Sequence, residues 1–334
     1  MKCDNPKISV IMPTFNADLY LKKAIDSILN QTFEDFEFII INDGSTDDTK
    51  NIIDSYNDKR IKVINNNSNI GLSDSLNIGK DLALGEYIAR QDADDISELN
   101  RFFLQIRYLE KNNLDLVDSN IVFIDEKDNY LEDYAYRKYS PNETFSHLFF
   151  YEIVHESIMC KRSLFNKCGI KYCNRPAEDY DLFIRFAKLG MKSGYIDKPL
   201  VKVRRHTSSL CGRNWNNIKK DIDNMRIDLL KEIGLEPKSY EKKMHIALVD
   251  QNISTLIQYQ IKDLISWCRK ILESNREYDI FNETYFKKEL YLRLIKTIKS
   301  NKSKTINDIF VLWKHLDIFE KKLSFKDLFY LYKF

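Results

Sequence analysis

The residues best suited to chemistry are three aspartates, Asp92, Asp94 and Asp95, which directly follow a short apolar run at 86–90. Carboxylates repel one another, so grouping them where a strand ends is costly unless a cation shares the site. Oxygen ligands of this kind suit Mg²⁺ or Mn²⁺, and Mg²⁺ is usually bound by one or two carboxylates together with substrate phosphates. The cluster therefore indicates a divalent metal and a phosphorylated ligand, while a solvated acidic turn is the alternative for this motif taken alone.

A regular alternation of strands and helices positions this cluster. Amphipathic patterns between apolar runs predict helices, one of which begins with the capping-box-like spacing of Ser45 and Asp48. The apolar runs themselves predict buried strands at 8–12, 36–41, 61–64 and 86–90. Such strands imply a mainly parallel sheet with helices on both faces, and ligands of these sheets bind beyond the carboxyl ends of the strands. We therefore expect the polar clusters that follow strands to lie together, namely 13–16, 42–45 and 92–95.

The chain then changes from this mixed pattern to helices only. A strand-like run covers 114–124, and a helix opens at Glu178-Asp179-Tyr180-Asp181, with Asp181 as the expected capping residue. Acidic residues suit a helix start simply because they complement the helix dipole. From Trp215 onward the patterns are helical, so we expect an α/β domain at 1–212 and a helical domain at 213–334.

Composition limits the kind of protein. The chain has 334 residues, 43% of them hydrophobic, and a formal net charge of +2. That charge is uneven, because residues 285–334 hold 12 Lys/Arg and 5 Asp/Glu, which gives +7 and leaves −5 for the rest. A basic tail with interspersed Phe and Leu suits an anionic membrane surface, and an ordinary solvated helical face is the alternative. With six cysteines, no CxxC pair and no apolar run of about 18 residues, we expect reduced thiols in a soluble or peripheral protein.

Several motifs occur in the order found in one known family, and each alone is weak. Together they resemble the family 2 glycosyltransferases over about residues 6–210. That resemblance implies the GT-A fold, in which a mainly parallel, Rossmann-like sheet flanked by helices binds a nucleotide sugar; here a helical region follows it. The matching motifs are Ile8–Asn16, Asn42-Asp43-Gly44-Ser45, Asn77-Ile78-Gly79, Asp92-Ala93-Asp94-Asp95, Glu178-Asp179-Tyr180-Asp181-Leu182 and Arg204-Arg205-His206.

The resemblance also implies roles for individual residues. The residues expected to bind the nucleotide sugar are Pro13, Thr14, Phe15, Asn16, Asp43, Asn77, Arg90, Asp92 and Ala93. The expected ligands of Mn²⁺ or Mg²⁺ are Asp94, Asp92 and His206. Asp179 is the expected general base and Glu178 its catalytic partner. Two departures stand out, because many relatives have Asp at position 42 and Arg at position 76, where this chain has Asn42 and Leu76. The contact that this arginine makes is then either absent or supplied by Arg90 or Lys80.

The resemblance implies that the protein is a metal-dependent, inverting glycosyltransferase. It would move a sugar from a nucleoside diphosphate sugar, UDP-linked by expectation, to a hydroxyl of a glycan or lipid-linked glycan during bacterial surface polysaccharide synthesis. A dinucleotide-dependent oxidoreductase would need Gly-x-Gly-x-x-Gly after the first strand, where Pro13-Thr14-Phe15-Asn16 stands instead. A non-catalytic nucleotide-sugar-binding module and a sugar nucleotidyltransferase are the remaining alternatives.

Partners and location follow from the same expectation. We expect no nucleic-acid partner, and a place in the cytoplasm or on the inner face of the cell membrane, where the 213–334 domain would dock the membrane, bind the acceptor or form a homo-oligomer.

Overall fold

The computed structural model describes residues 5–134, 138–207, 210–301 and 304–320, without the side chains of 168 and 210–213. These residues form two compact units. The first contains the described residues up to 144 and those of 152–219, and the second contains residues 145–151 and the described residues from 220 onward. The assignment of a catalytic domain to 1–212 and a second domain to 213–334 stays a prediction. Of the cysteines expected to be reduced, Cys160, Cys173 and Cys268 are free thiols; Cys3 and the side chains of Cys168 and Cys211 lie outside the described residues.

One sheet forms the centre of the first unit. Its nine described strands are β1 Ile8–Thr14, β2 Phe36–Asn42, β3 Ile61–Asn65, β4 Tyr87–Arg90, β5 Ile96–Ser97, β6 Leu116–Ile124, β7 Tyr130–Tyr134, β8 Met159–Lys161 and β9 Ser193–Arg204. They lie in the order β3-β2-β1-β4-β8-β6-β9-β5, with β7 paired to β6.

The first four strands are parallel, as their unbroken apolar runs predict. β1 pairs in parallel with β2 on one side and with β4 on the other, and β2 pairs in parallel with β3. The strand order therefore reverses between β1 and β4, and a crevice at such a switch point is where open α/β sheets bind ligands. The expected convergence of the loops after β1, β2 and β4 is confirmed by this topology.

Helices cover the sheet through apolar faces. Leu21, Ala24, Ile25 and Ile28 of α1 are fully buried and join the core formed by β1, β2 and α4. The described α-helices of the first unit are α1 Leu21–Leu29, α2 Thr49–Asp54, α3 Leu72–Leu82, α4 Arg101–Asn112, α6 Ser163–Asn166 and α7 Glu178–Lys188, whereas α5 Thr144–Leu148 belongs to the second unit from residue 145. The predicted flanked sheet is confirmed.

Close packing explains the glycine of the Asn77-Ile78-Gly79 motif. A Cβ atom at Gly79 would lie 2.4 Å from Cγ2 of Ile11 and 3.0 Å from Cδ1 of Ile41. Only a residue without a side chain lets α3 approach β1 and β2 this closely, so the motif places α3 against the strands that carry the site.

Two local predictions were wrong. Ser45 does not cap a helix: α2 begins at Thr49, and the Ser45 hydroxyl instead accepts a hydrogen bond from the Asn16 backbone N–H. Asp181 does not cap α7 either, because the N-cap is Ala177 and the Asp181 carboxylate forms salt bridges with Arg175 and Arg185. In both cases a tertiary or neighbouring partner competes successfully with the helix end for the side chain.

The helices within residues 210–301 and 304–320 belong to the second unit, except that the first of them lies in the first unit up to residue 219. They are α8 Leu210–Glu232, α9 Ser239–Val249, α10 Ile253–Leu256, α11 Ile261–Tyr278, α12 Glu283–Ser300 and α13 Ile306–Lys314. The core of the second unit includes the aromatic residues Phe149, Phe281 and Phe286, whose rings lie 4.7–5.2 Å apart. Among the described helices, none combines the length and the apolar character that a membrane span requires. The end of the basic tail, residues 321–334, lies outside the described residues.

Candidate active site

The loops that follow β1 and β2 are tied together by hydrogen bonds. Asn16 adopts a left-handed conformation with φ of 47°, and its side-chain oxygen accepts a hydrogen bond from the Thr46 N–H at 2.8 Å. The Asn16 N–H donates to the Ser45 hydroxyl at 3.1 Å. Asparagine tolerates this backbone conformation better than most residues, so the position suits its residue type. The loop expected to meet the nucleotide is thereby held in a defined shape.

Next to this junction, the end of β1 combines buried and exposed groups. Pro13 and Thr14 are buried, and the Thr14 hydroxyl oxygen has no hydrogen-bond partner among the residues that the structure describes. Phe15 is 48% exposed, which is unusual for a large aromatic residue beside a well-packed sheet. An exposed ring at this edge offers a flat apolar surface to a planar ligand.

Asp43 organises the loop that precedes α3. Oδ1 of Asp43 accepts hydrogen bonds from Asn66 Nδ2 at 2.7 Å and from the Ile70 N–H at 3.0 Å, and Oδ2 accepts one from the Gly71 N–H at 2.9 Å. An ionised carboxylate has about four acceptor positions, two on each oxygen. One position therefore remains on Oδ2, so the expected base contact and the observed loop contacts can coexist.

The acidic loop after β4 is shaped by Gln91, which is fully buried. Its side-chain nitrogen donates to the carbonyl oxygens of Asp92 and Asp95, both at 3.0 Å, and so closes the turn from within. Ala93, at 9% exposure, packs into the core cluster between the two acids. The carboxylate oxygens of Asp92, Asp94 and Asp95 consequently lie within 4.8 Å of one another.

Arg101 in α4 supports this loop and was not identified from the sequence. Its side chain is fully buried. Its guanidinium donates at 2.8–3.2 Å to neutral oxygens, namely the side-chain oxygens of Gln91, Ser97 and Gln105 and the carbonyl oxygens of Arg90 and Ile158. Arg101 thus joins the ends of β4 and β5 to the segment before β8. In the sequence, only its position directly after Asn100, at the start of the helix, distinguishes it from other arginines.

The other side of the acidic loop is attached to the end of β9. The backbone N–H of Arg204 donates to Asp95 Oδ1 at 2.9 Å, and Arg204 Nε donates to the Asp94 carbonyl oxygen at 3.0 Å. Two residues further on, His206 Nε2 lies 2.9 Å from Asp94 Oδ2. Because β5 pairs with β9, the chain returns the histidine to the aspartates although 112 positions separate them. The structure therefore brings His206 and Asp94 together.

This group of ligands fits a divalent cation. Asp95 Oδ2 is buried and has no hydrogen-bond partner within the described ranges, although burial of an unpaired carboxylate oxygen is costly. Three clustered carboxylates with a neighbouring imidazole form an oxygen-rich donor set of the kind that Mg²⁺ or Mn²⁺ accepts. Asp92 is also engaged by Arg90, so it would share its oxygens between the guanidinium and the cation.

Arg90 lies at the electrostatic centre of the site. Its guanidinium forms a bidentate pair with Asp92, with N–O distances of 2.8 and 2.6 Å. Burial lowers the pKa of Arg90, but the charges of Asp92, Glu156 and Glu178 outweigh burial and raise it overall. The charge of Arg90 therefore interacts both with the acidic loop after β4 and with the carboxylates that precede β8 and open α7.

The surrounding acids are nevertheless hard to ionise, because burial outweighs the charge of Arg90. Burial, opposed by Arg90, raises the pKa of Glu156 to about 7. Burial and the charge of Asp179 raise the pKa of Glu178, and burial raises that of Asp179. Burial also raises the pKa of Asp92, with a contribution from Asp94. Such shifts in a group of facing acids are typical of functional sites.

Asn77 has a different setting from the one expected. Its side-chain nitrogen donates to the Tyr172 carbonyl oxygen, and its side-chain oxygen accepts from the Tyr172 N–H, both at 2.9 Å. These two hydrogen bonds attach α3 to the segment that leads into α7. A contact between Asn77 and the nucleotide stays a prediction, as do the individual roles of the other site residues.

Known proteins resemble this chain in sequence and fold. The family model for Glycosyl transferase family 2 matches residues 9–167. An uncharacterized glycosyltransferase of Haemophilus influenzae is 36% identical over 255 residues, which cover 70% of this chain and 77% of the relative.

Two solved structures share the architecture. TarS 1–349 of S. aureus, in complex with UDP-GlcNAc, has a TM-score of 0.58 at 15% identity, covering 94% of this chain and 88% of that one. The mannosyltransferase PcManGT from Pyrobaculum calidifontis, in complex with GDP-Man and Mn²⁺, has a TM-score of 0.50 at 16% identity, covering 90% and 88%. At these identities the likeness concerns the fold, and it confirms the expected GT-A-like architecture with its helical C-terminal region.

The buried hydrogen bonds of Arg101 predict a large effect of its replacement. We expect Arg101→Met to lower the free energy of unfolding by about 3–5 kcal/mol, because several buried oxygens lose their donors at once. Urea unfolding followed by circular dichroism measures this change. Arg107→Met is the matched control, since Arg107 is exposed on the same helix and its loss should change stability by less than about 0.5 kcal/mol. Equal stability of the two variants would contradict the assigned role.

Proposed function

Since the chain belongs to glycosyl transferase family 2 and is a glycosyltransferase, we propose that it transfers one sugar from a UDP-sugar to a hydroxyl of a glycan acceptor, with inversion and with a divalent metal. We further propose that the product is a bacterial surface polysaccharide. The complexes of TarS with UDP-GlcNAc and of PcManGT with GDP-Man support a nucleoside diphosphate sugar as donor. Family membership disfavours the two alternatives that the sequence left open, a non-catalytic module and a sugar nucleotidyltransferase.

The observation that carries this proposal is the position of Arg90 among two groups of acids. Asp92 belongs to the group beside which the donor diphosphate would bind. Glu156 and Glu178 belong to the group that the acceptor hydroxyl would approach. A transfer reaction needs both groups within reach of one anomeric carbon. The interaction of one guanidinium with both sets supports a common site for them in the first unit.

On the donor side, we assign the metal to Asp92, Asp94 and His206. When bound, the cation would act as a Lewis acid that stabilises the charge of the leaving diphosphate. Arg90 keeps Asp92 oriented and limits repulsion among the carboxylates. Thr14, Asn16 and Ala93 would line the nucleotide sugar, in keeping with their positions at the end of β1 and in the loops after β1 and β4.

On the acceptor side, we assign the general base to Asp179. The acceptor oxygen forms a bond to the anomeric carbon and gives its proton to the Asp179 carboxylate, while the bond from that carbon to the diphosphate oxygen breaks on the opposite face. One displacement of this kind inverts the anomeric configuration and requires no covalent intermediate. Glu178, whose pKa is raised more clearly by burial and by Asp179, is the neighbour that binds or orients the acceptor.

Preference for uracil would come from the end of β1 and from Asp43. The exposed Phe15 ring offers a stacking surface to the base. The remaining acceptor position on Asp43 Oδ2 suits a ring N–H, which uracil presents and cytosine does not. These two contacts support a UDP-linked donor.

We also propose that the helical 213–334 domain docks the protein on an anionic membrane. Ile306, Phe310 and Trp313 of α13 lie at helical spacing and are 65%, 48% and 42% exposed; we call them the α13 apolar stripe. Lys314 lies over the Phe310 ring, and Lys296 and Lys299 are exposed on α12. Exposed aromatic residues, one of them with a lysine beside its ring, suit a bilayer surface with anionic headgroups.

The role of Asp179 predicts a loss of chemistry without a loss of binding. With Mn²⁺ and each of UDP-glucose, UDP-galactose and UDP-GlcNAc, water can replace the acceptor and UDP is released slowly. Asp179→Asn should lower kcat of UDP release at least about 100-fold, while calorimetry should find UDP affinity within about twofold. Asp74→Asn, exposed in the first turn of α3, is the matched control. If Asp179→Asn loses UDP binding instead, the assigned role is wrong.

The proposed metal site predicts that Mn²⁺ binding depends on Asp94. Calorimetric titration of Mn²⁺ in the presence of UDP should show at least about tenfold weaker binding by Asp94→Asn. Asp54→Asn serves as the control, because Asp54 is exposed on α2 and pairs with Lys50. UDP release that persists unchanged in excess EDTA would show that the reaction needs no metal.

The α13 apolar stripe predicts partition onto anionic vesicles. The full chain should bind vesicles of phosphatidylglycerol and phosphatidylcholine, and Phe310→Ser with Trp313→Ser should weaken this binding at least about tenfold in a sedimentation assay. Phe103→Ser is the control, since Phe103 is 47% exposed on α4. Equal partition of wild type and double variant, or self-association abolished by the double variant without any change in partition, rejects membrane docking through this stripe.

A further inference from the structure

A buried histidine faces the carboxylate assigned as general base. His155 is 3% exposed and packs its ring near Tyr172 and Phe183, with centroid distances of 5.6 and 5.7 Å. Its Nε2 lies 3.0 Å from the Tyr172 hydroxyl, and its Nδ1 lies 3.9 Å from Asp179 Oδ2. The ring therefore stands between a tyrosine hydroxyl and the Asp179 carboxylate.

The charge state of this imidazole follows from its surroundings. Burial, with a contribution from the charge of Arg90, lowers the pKa of His155 well below its usual value, so the ring is neutral at neutral pH. Burial raises the pKa of Tyr172, so its hydroxyl keeps its proton. A neutral imidazole has one N–H, and a bare Nδ1 opposite a carboxylate would be repelled. The favourable arrangement therefore has the Tyr172 hydroxyl donating to Nε2 and the N–H on Nδ1 pointing at Asp179.

The residues around this pair are themselves fixed. Asn77 holds both backbone polar groups of Tyr172 through its side-chain amide. On the other side, the Asp118 carboxylate accepts a hydrogen bond from the Val154 N–H at 3.1 Å, directly before His155. Rigid support on both sides is what orientation of a catalytic group requires.

We propose that His155 is a positioning residue that orients the Asp179 carboxylate through its Nδ1–H, with the Tyr172 hydroxyl fixing the ring from behind. Asp179 is then held from two directions, because the Tyr180 N–H also donates to its Oδ1 at 2.7 Å. The separation of 3.9 Å between Nδ1 and Oδ2 is longer than a hydrogen bond, and catalytic hydrogen bonds commonly shorten when substrate binds. This inference rests on the proposed function, since it gives His155 a role only if Asp179 accepts the proton.

Kinetics of substituted proteins test the proposal through the split between kcat and KM. His155→Leu should lower kcat of UDP release about 10- to 100-fold and leave the KM of the UDP-sugar within about twofold. His155→Asn places an amide N–H close to the position of Nδ1 and should recover a large part of the lost kcat. Tyr172→Phe should lower kcat less than His155→Leu does, because the ring stays in place while its tautomer is no longer fixed.

The tautomer gives a second measurement that does not depend on activity. With ¹⁵N-labelled histidine, the imidazole signals that disappear in His155→Asn belong to His155, one of five histidines. We expect the neutral form with its proton on Nδ1 throughout pH 6–8. A ring protonated at pH 6, or one with its proton on Nε2, overturns the proposal even if His155→Leu does not fold.

The outcomes also separate this inference from the proposed function. Unchanged kcat in His155→Leu, with activity lost in Asp179→Asn, rejects the positioning role and leaves the function intact. Unchanged UDP release in Asp179→Asn rejects the assigned base itself. A fall in kcat that His155→Asn does not recover at all, with both variants folded, assigns His155 a structural role and overturns the inference.

Discussion

A single buried guanidinium allows the acids of this site to lie close together. Arg90 is 7% exposed and pairs with Asp92 through two nitrogens, and the charges of Glu156 and Glu178 also raise its pKa. Breaking a buried ion pair by removing one partner costs about 3–5 kcal/mol, because the remaining charge is left uncompensated in a medium of low polarity. Without Arg90, the acids would have to be neutral or separate, and the crevice would lose the facing arrangement that a transfer reaction needs.

The second buried guanidinium, that of Arg101, has a structural role. Arg90 compensates charge, whereas Arg101 donates to neutral oxygens and fixes the backbone on which the charged groups stand. Because Arg101 reaches the carbonyl oxygens of both Arg90 and Ile158, it connects the end of β4 with the residues just before β8. The aspartate loop after β4 and the His155–Ser157 turn are consequently attached to one side chain. Neither set of functional groups can shift without disturbing the other.

Much of the fold could be predicted from the sequence, because β1 to β4 are unbroken apolar runs and their loops carry local motifs. Long-range features could not. β9, the strand that returns His206 to the aspartates, contains Asp197-Lys198-Pro199, and its register with β6 shifts beside this interruption. Proline cannot donate to a sheet ladder, so the pattern did not indicate a strand. Arg101 and the Asn77–Tyr172 contact were equally hidden, because their partners lie up to 95 residues away and leave no periodic signal.

The proposed base, Asp179, has to stay ionised although burial raises its pKa. The N-terminus of α7 favours a negative charge at Asp179, but a helix dipole contributes about 0.3–1 kcal/mol, which is less than one pKa unit. Burial can shift a carboxyl pKa by several units, and here it determines the direction for Asp179. What counteracts burial is the Tyr180 N–H and the charge of Arg90. A donor such as the His155 Nδ1–H acts in the same direction, because hydrogen bonds to the ionised form favour it. If Asp179 is the base, as we propose, its ionisation and its orientation are two effects of the same few N–H groups.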